Sequence, residues 1–195
     1  MSLFFVTAPT VEPVSLADAK LHVRVDTPDE DILIQSLIRA AREYVETATH
    51  RALLTQTWDL KLDGFPSAEG AICVPMPPVS SVTSITYTAT DGTATTWSSS
   101  LYTTDLPTGP HAAPARITPA YGQYYPLTRD VMNAVTVRVV CGYGTTAATV
   151  PDSLRSAVKL LVGHWYASRE AGQMGAMVTP MLLALDALIW PYKVF

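Results

Sequence analysis

The hydrophobic period changes twice along this chain, and no other feature constrains the fold as strongly. From Ser15 to Ala48 apolar residues recur at spacings of three and four, as on one face of a helix. Between residues 57 and 140 they alternate with polar residues, as in strands with one buried face, and the helical period returns after Pro151. We therefore predict an α+β fold, in which a small bundle of N- and C-terminal helices carries an inserted antiparallel β section.

The first helical region has two start signals. Ser15 can cap a short helix, with Asp18 three residues later. In TPDEDILIQSLIRAAREYVETA, Thr27 is the predicted N-cap, Pro28 the first helical residue and Glu30 the third residue of a capping box. The apolar spacing that follows predicts an amphipathic helix of about five turns.

The middle of the chain carries the strand signals. TWDLKLD, VTSITYT and AVTVRVV alternate apolar and polar residues, and Asp91-Gly92 is typical of a hairpin turn. Nine of the fifteen prolines fall between Pro66 and Pro126, which excludes long helices there.

The last region is again helical. Pro151 begins a helix with an apolar stripe, residues 171–178 form a loop, and Thr179-Pro180 restarts a short helix that ends before Pro191. The predicted division is residues 1–52 for the N-terminal helices, 53–148 for the β section, and 149–195 for the C-terminal helix, loop and tail.

Composition excludes several classes of protein. A net charge of -4 without a basic patch argues against tight DNA binding. The start MSLFFVTAPT lacks the positive region of a signal peptide, and MLLALDALIW is about half as long as a membrane span. We expect no membrane association. Cys73 and Cys141 are interpreted as two buried thiols, with a single disulfide as the less favoured alternative.

No segment predicts catalysis, a cofactor or a metal centre. Gly142, Gly144 and Ala147 fit a dinucleotide-binding pattern, but the turn does not open directly into a helix, so the glycines are expected only to permit positive φ. The histidines show no metal-ligand spacing, and there is no G-x-S-x-G. We expect no enzyme and no cofactor; a zinc or catalytic site assembled from distant residues stays as an alternative without positive support.

The sequence HWYASRE, from His164, concentrates aromatic and charged residues near the end of the third helix. The favoured interpretation places Trp165 in the core, with His164 and Tyr166 at its polar margin. The alternative is a contact between subunits made by Trp165, Tyr166 and Arg169, because such residues are frequent at interfaces.

Six segments, taken in order, resemble the phage head–tail connector family, the adaptors of tailed phages and phage-like gene transfer agents. They are VSLADAKLHVRV, DEDILIQSLIRAAREYVETATHRALLTQTWDL, VPMPPVSSVTSITYTATDG, VTVRVVCGYG, VPDSLRSAVKLLVGHWYASRE and LIWPYKV. The resemblance spans residues 12–195, and the order and spacing of the segments are more specific than any one of them.

The resemblance implies a non-enzymatic virion protein, assembled in the bacterial cytoplasm. It implies a ring, typically of twelve copies, below the portal protein at the head–tail junction, which continues the DNA channel toward a stopper or tail terminator. The helices would form the ring body and the β section its periphery. The portal-facing element would be the C-terminal segment, with Leu182, Leu185, Leu188, Ile189, Trp190, Pro191 and Tyr192.

Low basicity suits a channel, because a wall that bound phosphates tightly would retain DNA. We therefore expect acidic residues such as Asp29, Glu30 and Glu46 to line it. The competing hypothesis is a carbohydrate- or surface-binding β module of a phage tail, whose aromatic residues would stack on sugars. Its candidates are Tyr87, Trp97, Tyr102, Tyr121, Tyr124 and Tyr125.

Overall fold

The computed structural model describes residues 1–67, 70–168 and 179–194. It divides into two compact units. The β unit consists of Met1–Pro9 and Thr55–Tyr143, and the helical unit of Thr10–Leu54 and Gly144–Phe195. Helices and antiparallel sheets are both present, so the α+β class predicted from the sequence is confirmed.

Four helices build the helical unit within the described ranges: α1 (Leu16–Val23), α2 (Asp31–Thr49), α3 (Asp152–Ala167) and α4 (Thr179–Ile189). The predicted cap of α1 is confirmed, since the Ser15 hydroxyl accepts a hydrogen bond of 3.0 Å from the Asp18 N–H. Helix α3 packs against the other three helices. Their buried side chains form one apolar core: Ile34, Ile38, Ala41, Val45, Leu154, Ala157, Val158, Leu161, Val162, Leu185 and Ile189.

The start of α2 differs from its prediction. The helix begins at Asp31 rather than after Thr27, and Glu30 stands at the N-cap without a side-chain capping bond. Lys20 accounts for the difference: its ammonium donates to the Thr27 carbonyl at 2.8 Å and to the Asp31 carboxylate at 2.6 Å. Because these contacts fix residues 27–30 as a turn, the predicted capping box does not form.

The larger sheet of the β unit has the strand order β1-β2-β8-β4-β5, with β1 at Ser2–Thr7, β2 at Gln56–Leu62, β4 at Val79–Thr88, β5 at Ala94–Trp97 and β8 at Val135–Cys141. All neighbours are antiparallel. Leu60 lies opposite Val137, and both are fully buried. The period of two therefore gave the correct inward face for β2 and β8.

Strand β1 was not predicted from the sequence. It pairs with β2, Phe5 lies opposite Trp58, and their ring centroids are 4.9 Å apart. On the other face the Lys61 ammonium lies 4.5 Å from the Phe4 ring centroid. Phe4 and Phe5 thus lie on opposite faces, and two adjacent apolar residues do not produce the alternation by which strands are recognised.

A second sheet of three strands has the order β3-β7-β6, with β3 at Ile72–Val74, β6 at Tyr102–Asp105 and β7 at Ala115–Pro119. The cysteine prediction was half wrong, because Cys141 is buried but Cys73 is exposed, and both thiols are free. Cys73 is the central residue of β3, between the buried Ile72 and Val74, so the pleat directs it outward.

Candidate assembly surfaces

The C-terminal segment splits into inward and outward residues. Leu185 and Ile189 are 2% exposed and Tyr192 is 8% exposed, so three of the predicted portal-facing residues belong to the core of the helical unit. Trp190 and Pro191 are exposed and Leu188 is half-buried. The Leu182 side chain lies outside the part of the chain that the structure describes.

Leu183 was missed by the sequence analysis. It is 67% exposed, close to the 61% of Trp190. Leu183 lies two residues before Leu185, about 200° around the helix, so it points outward once Leu185 is known to face the core. The outward face of this segment therefore consists of Leu183, Trp190 and Pro191, with Leu188 at its margin.

The tail after α4 is fixed to the end of α2. The Arg51 Nε donates to the Tyr192 carbonyl, and the Val194 N–H donates to the Thr49 carbonyl at 3.1 Å. Lys193 joins Asp186 at 3.3 Å, and its ammonium lies 5.1 Å from the Trp190 ring centroid. These contacts hold the outward residues of the tail on a defined backbone.

The aromatic residues at the end of α3 contact other residues of the same chain. Trp165 meets Tyr44 of α2 edge to face, with ring centroids 6.3 Å apart. The Tyr166 hydroxyl donates a short hydrogen bond to the Glu30 carboxylate. Arg169 lies outside the described residues. Trp165 and Tyr166 are both half-buried.

The three acidic residues expected at a channel have different surroundings. Asp29 is exposed, whereas the Glu30 carboxylate accepts from Tyr166. Glu46 is 7% exposed and is shared between Arg42 Nη1 and the Leu53 N–H, each at 2.8 Å. The Glu46 carboxylate therefore forms its hydrogen bonds inside the helical unit and is not exposed as a surface charge.

Arg42 completes this buried group of charges. Its Nε donates to Glu12 at 2.9 Å, and its side chain is 8% exposed. Burial opposes the guanidinium charge, but Glu46 and Glu12 outweigh it and hold the pKa of Arg42 above its ordinary value. An ion pair of this kind positions α2 against the segment that precedes α1.

The glycine-rich turn has the structural role expected from its sequence. Gly142 has a φ of 119°, and its N–H donates to the Pro78 carbonyl at 2.8 Å. The following α-helix begins only at Asp152, so the turn presents no helix N-terminus to a phosphate. Within the described ranges, no three His, Cys, Asp or Glu residues come close enough together to hold a metal ion.

The aromatic residues proposed for sugar binding mostly fill the interior of the β unit. Trp97 is 4% exposed, lies 5.3 Å from Phe65, and contacts Tyr102 and Tyr125. The Tyr125 hydroxyl donates to the Gly70 and Ile117 carbonyls. Of the six candidates, Tyr121 and Tyr124 are the two exposed residues. The six rings therefore do not form one continuous exposed surface on which sugars could stack.

Comparison with known families gives the decisive observation. Residues 13–103 match the family described as phage gp6-like head–tail connector proteins. The resemblance to head–tail connectors seen in the sequence is confirmed. The matched residues include α1, α2 and the strands from β2 to β5, and of these α1, α2 and β4 lie within segments on which the resemblance rested.

Solved structures extend the similarity over the whole chain. A chain in a structure of the neck of an empty gene transfer agent particle, computed with C6 symmetry, has 26% identity and a TM-score of 0.80. A chain in the virion of a native gene transfer agent particle gives the same values. Both matches cover 100% of this chain and 96% of the other.

A third structure supports the fold alone. A chain in the neck of a native gene transfer agent particle, computed with C12 symmetry, has 24% identity, a TM-score of 0.75 and the same coverage. No curated protein sequence matches this chain significantly.

These findings identify the class of protein. The family match and the neck structures support a structural protein of the virion neck rather than an enzyme. No helix in the described part of the chain is long and apolar enough to cross a membrane.

Proposed function

We propose that this connector is an adaptor that assembles as a ring between the portal protein and the tail. The observation that carries the proposal is the similarity, over the entire chain at a TM-score of 0.80, to a chain in the neck of a gene transfer agent particle. The similarity includes both the helices and the β unit, so it is not restricted to a common helical motif.

The cyclic arrangement has separate support. The neck structure with 26% identity was computed with C6 symmetry, which suits copy numbers divisible by six. The sequence resemblance implies twelve copies. In a cyclic ring each copy contacts two neighbours through two different surfaces, so both surfaces must exist on one chain.

The portal contact is assigned to the outward residues of the C-terminal segment. Trp190 and Pro191 are exposed on a tail that Arg51 and Thr49 hold in place. A large aromatic residue on a defined backbone loses little conformational entropy on binding, which favours its use as a contact. Leu185, Ile189 and Tyr192 support this surface from the core.

Passage of DNA requires a wall that does not retain phosphates. The chain has a net charge of -4. We propose that the ring continues the DNA channel without sequence-specific contacts, and that its far side binds the next neck or tail protein, a stopper or a tail terminator.

Native mass spectrometry tests the proposal. The 21.1 kDa chain would be measured alone and with the portal protein of the same genome. We expect a species of about twelve chain masses, alone or with the portal. Trp190→Ala should weaken portal binding while leaving the fold intact, because this side chain is 61% exposed; Met132→Ala, at 83% exposure in the β unit, is the matched control.

A chain that stays monomeric and does not bind the portal would contradict the adaptor proposal. In that case binding to a glycan array would support the alternative of a surface-binding β module. A ring that forms normally but binds the portal equally well after Trp190→Ala would contradict only the assignment of the contact.

A further inference from the structure

A groove opens between α1, α3 and α4 of the helical unit. It has a volume of about 460 Å³. One side carries polar groups, His22, Ser156 and Lys159, and the other side is apolar, formed by Leu160, Ala184, Ala187 and Leu188. None of the described residues that line it is acidic.

The polar side chains of the groove lack hydrogen-bond and ion-pair partners within the described part of the chain. His22, Ser156 and Lys159 have no side-chain hydrogen bond or ion pair there, whereas Lys20 on the same α1 helix is paired with Asp31. A groove with a cationic side and an apolar side is complementary to an apolar side chain that has a carboxylate beside it.

The chain itself presents that combination at the start of α2. Ile32 is 83% exposed, one of the most exposed aliphatic side chains of the helical unit. Asp29, three residues earlier, is exposed and has no ion pair within the described residues. The Asp31 carboxylate differs, because it forms an ion pair with the Lys20 ammonium at 2.6 Å. An isoleucine and a free carboxylate therefore stand together on this turn.

The two surfaces are formed by different residues of the helical unit. The groove is lined by residues of α1, α3 and α4, whereas Asp29 and Ile32 belong to the turn before α2 and to its first turn. On α3, Leu161 faces the core and Lys159 points about 160° away from it. On α2, Ile34 faces the core and Ile32 points about 160° away from it. One copy therefore carries two separate surfaces, as contact with two neighbours requires.

From this placement we propose that the Ile32 turn of one copy docks into the groove between α1, α3 and α4 of a second copy, with Asp29 facing Lys159 and His22. The inference rests on the ring proposed above and names the surfaces that close it. A head-to-tail contact of this kind repeats around the ring, because every copy carries both surfaces.

Charge reversal tests the contact. Under conditions in which the natural chain forms rings, Asp29→Lys and Lys159→Asp are each expected to lower the ring fraction about tenfold, and the double variant should restore most of it. Ile32→Glu should lower it by a similar factor. Met132→Glu, which also changes a side chain of 83% exposure, is the control and should form rings normally.

The outcomes separate the inference from the proposed function. If the natural chain forms no ring with or without its portal, the ring itself is wrong. If it forms rings and the three single variants do so equally well, the docking contact is wrong. Loss of rings in both charge variants without recovery in the double variant would overturn the pairing of Asp29 with Lys159. Circular dichroism of each variant excludes unfolding as the cause of a loss.

Discussion

Asp59 on β2 and Arg138 on β8 lie directly opposite each other, and Arg138 Nε and Nη2 each donate a 2.8 Å hydrogen bond to one carboxylate oxygen. These hydrogen bonds lower the pKa of Asp59 below its ordinary value of 3.8, although burial opposes the shift. Because the folded-state pKa is depressed, the resulting stability is present above the unfolded-state pKa and is lost as the pH falls through the folded-state pKa.

We therefore expect Asp59→Asn to lower the free energy of unfolding by about 1 kcal/mol at neutral pH. The difference from the natural chain should shrink as the pH is lowered through the region below 4, where the natural carboxylate takes up its proton. Urea denaturation at several pH values measures both effects.

A second cross-strand pair provides the matched control. Asp105 and Arg116 are also directly opposite, 2.7 Å apart, but their side chains are 54% and 63% exposed. Solvent screens such a pair, so Asp105→Asn should leave the free energy of unfolding at neutral pH almost unchanged. Equal effects of the two substitutions would show that burial of Asp59 does not matter.

Arg42 is expected to be essential for the stability of the helical unit. Arg42→Met removes the guanidinium and leaves the buried Glu46 carboxylate without its ion pair. Breaking a buried pair in this way costs about 3 kcal/mol. Arg39→Met, which changes an exposed residue of the same helix, should have almost no effect on the urea midpoint; similar losses for both would contradict the role given to the buried charges.

Trp97 is predicted to support the interior of the β unit rather than a ligand. Because Trp97 is 4% exposed among Phe65, Tyr102 and Tyr125, Trp97→Ala should lower the free energy of unfolding by about 3–5 kcal/mol. Tyr121→Ala, at a fully exposed side chain, should change it little. Thermal denaturation followed by near-ultraviolet circular dichroism gives the comparison, and an unchanged melting temperature for Trp97→Ala would contradict the prediction.

The two thiols should react very differently. Cys73 is exposed, whereas burial raises the pKa of Cys141 to about 12. Labelling of the folded chain with a thiol reagent near pH 8, followed by peptide mass spectrometry, should modify Cys73 and leave Cys141 unmodified until urea is added. Rapid modification of Cys141 without denaturant would show that the larger sheet opens readily.

Local patterns were sufficient for most secondary structure. The alternation in TWDLKLD and AVTVRVV predicted β2 and β8, and Asp91-Gly92 predicted the β4–β5 turn, because these signals depend on neighbouring residues. The order of six short segments likewise indicated the resemblance to head–tail connectors, which the family match and the neck structures confirm.

The surfaces could not be predicted in the same way. The segment from Leu182 to Tyr192 is apolar nearly throughout, so its sequence does not reveal that Leu185 and Ile189 face the core while Trp190 faces outward. Nor does it show that Arg51, far away in the chain, donates to the Tyr192 carbonyl. Such facts depend on which helix packs against which.

The surroundings of the charged residues also could not be predicted from the local sequence. Glu30 has the position of a capping-box residue in sequence, but Lys20 fixes the preceding turn and Tyr166 donates to the Glu30 carboxylate. The sequence places Glu46 on the solvated face of a helix. In the structure, however, its carboxylate is buried and accepts hydrogen bonds from Arg42 and from the Leu53 N–H. A local rule was replaced in each case by a partner from elsewhere in the fold.

The sequence by itself determined the two hydrophobic periods, the positions of the main helices and strands, and the resemblance to head–tail connectors, because each is written in residues close to one another in the chain. The tertiary structure alone decided the pairing of β1, the burial of Glu46 and the groove that α1, α3 and α4 line together. These depend on contacts between distant segments, whose geometry is set by packing and not by local pattern.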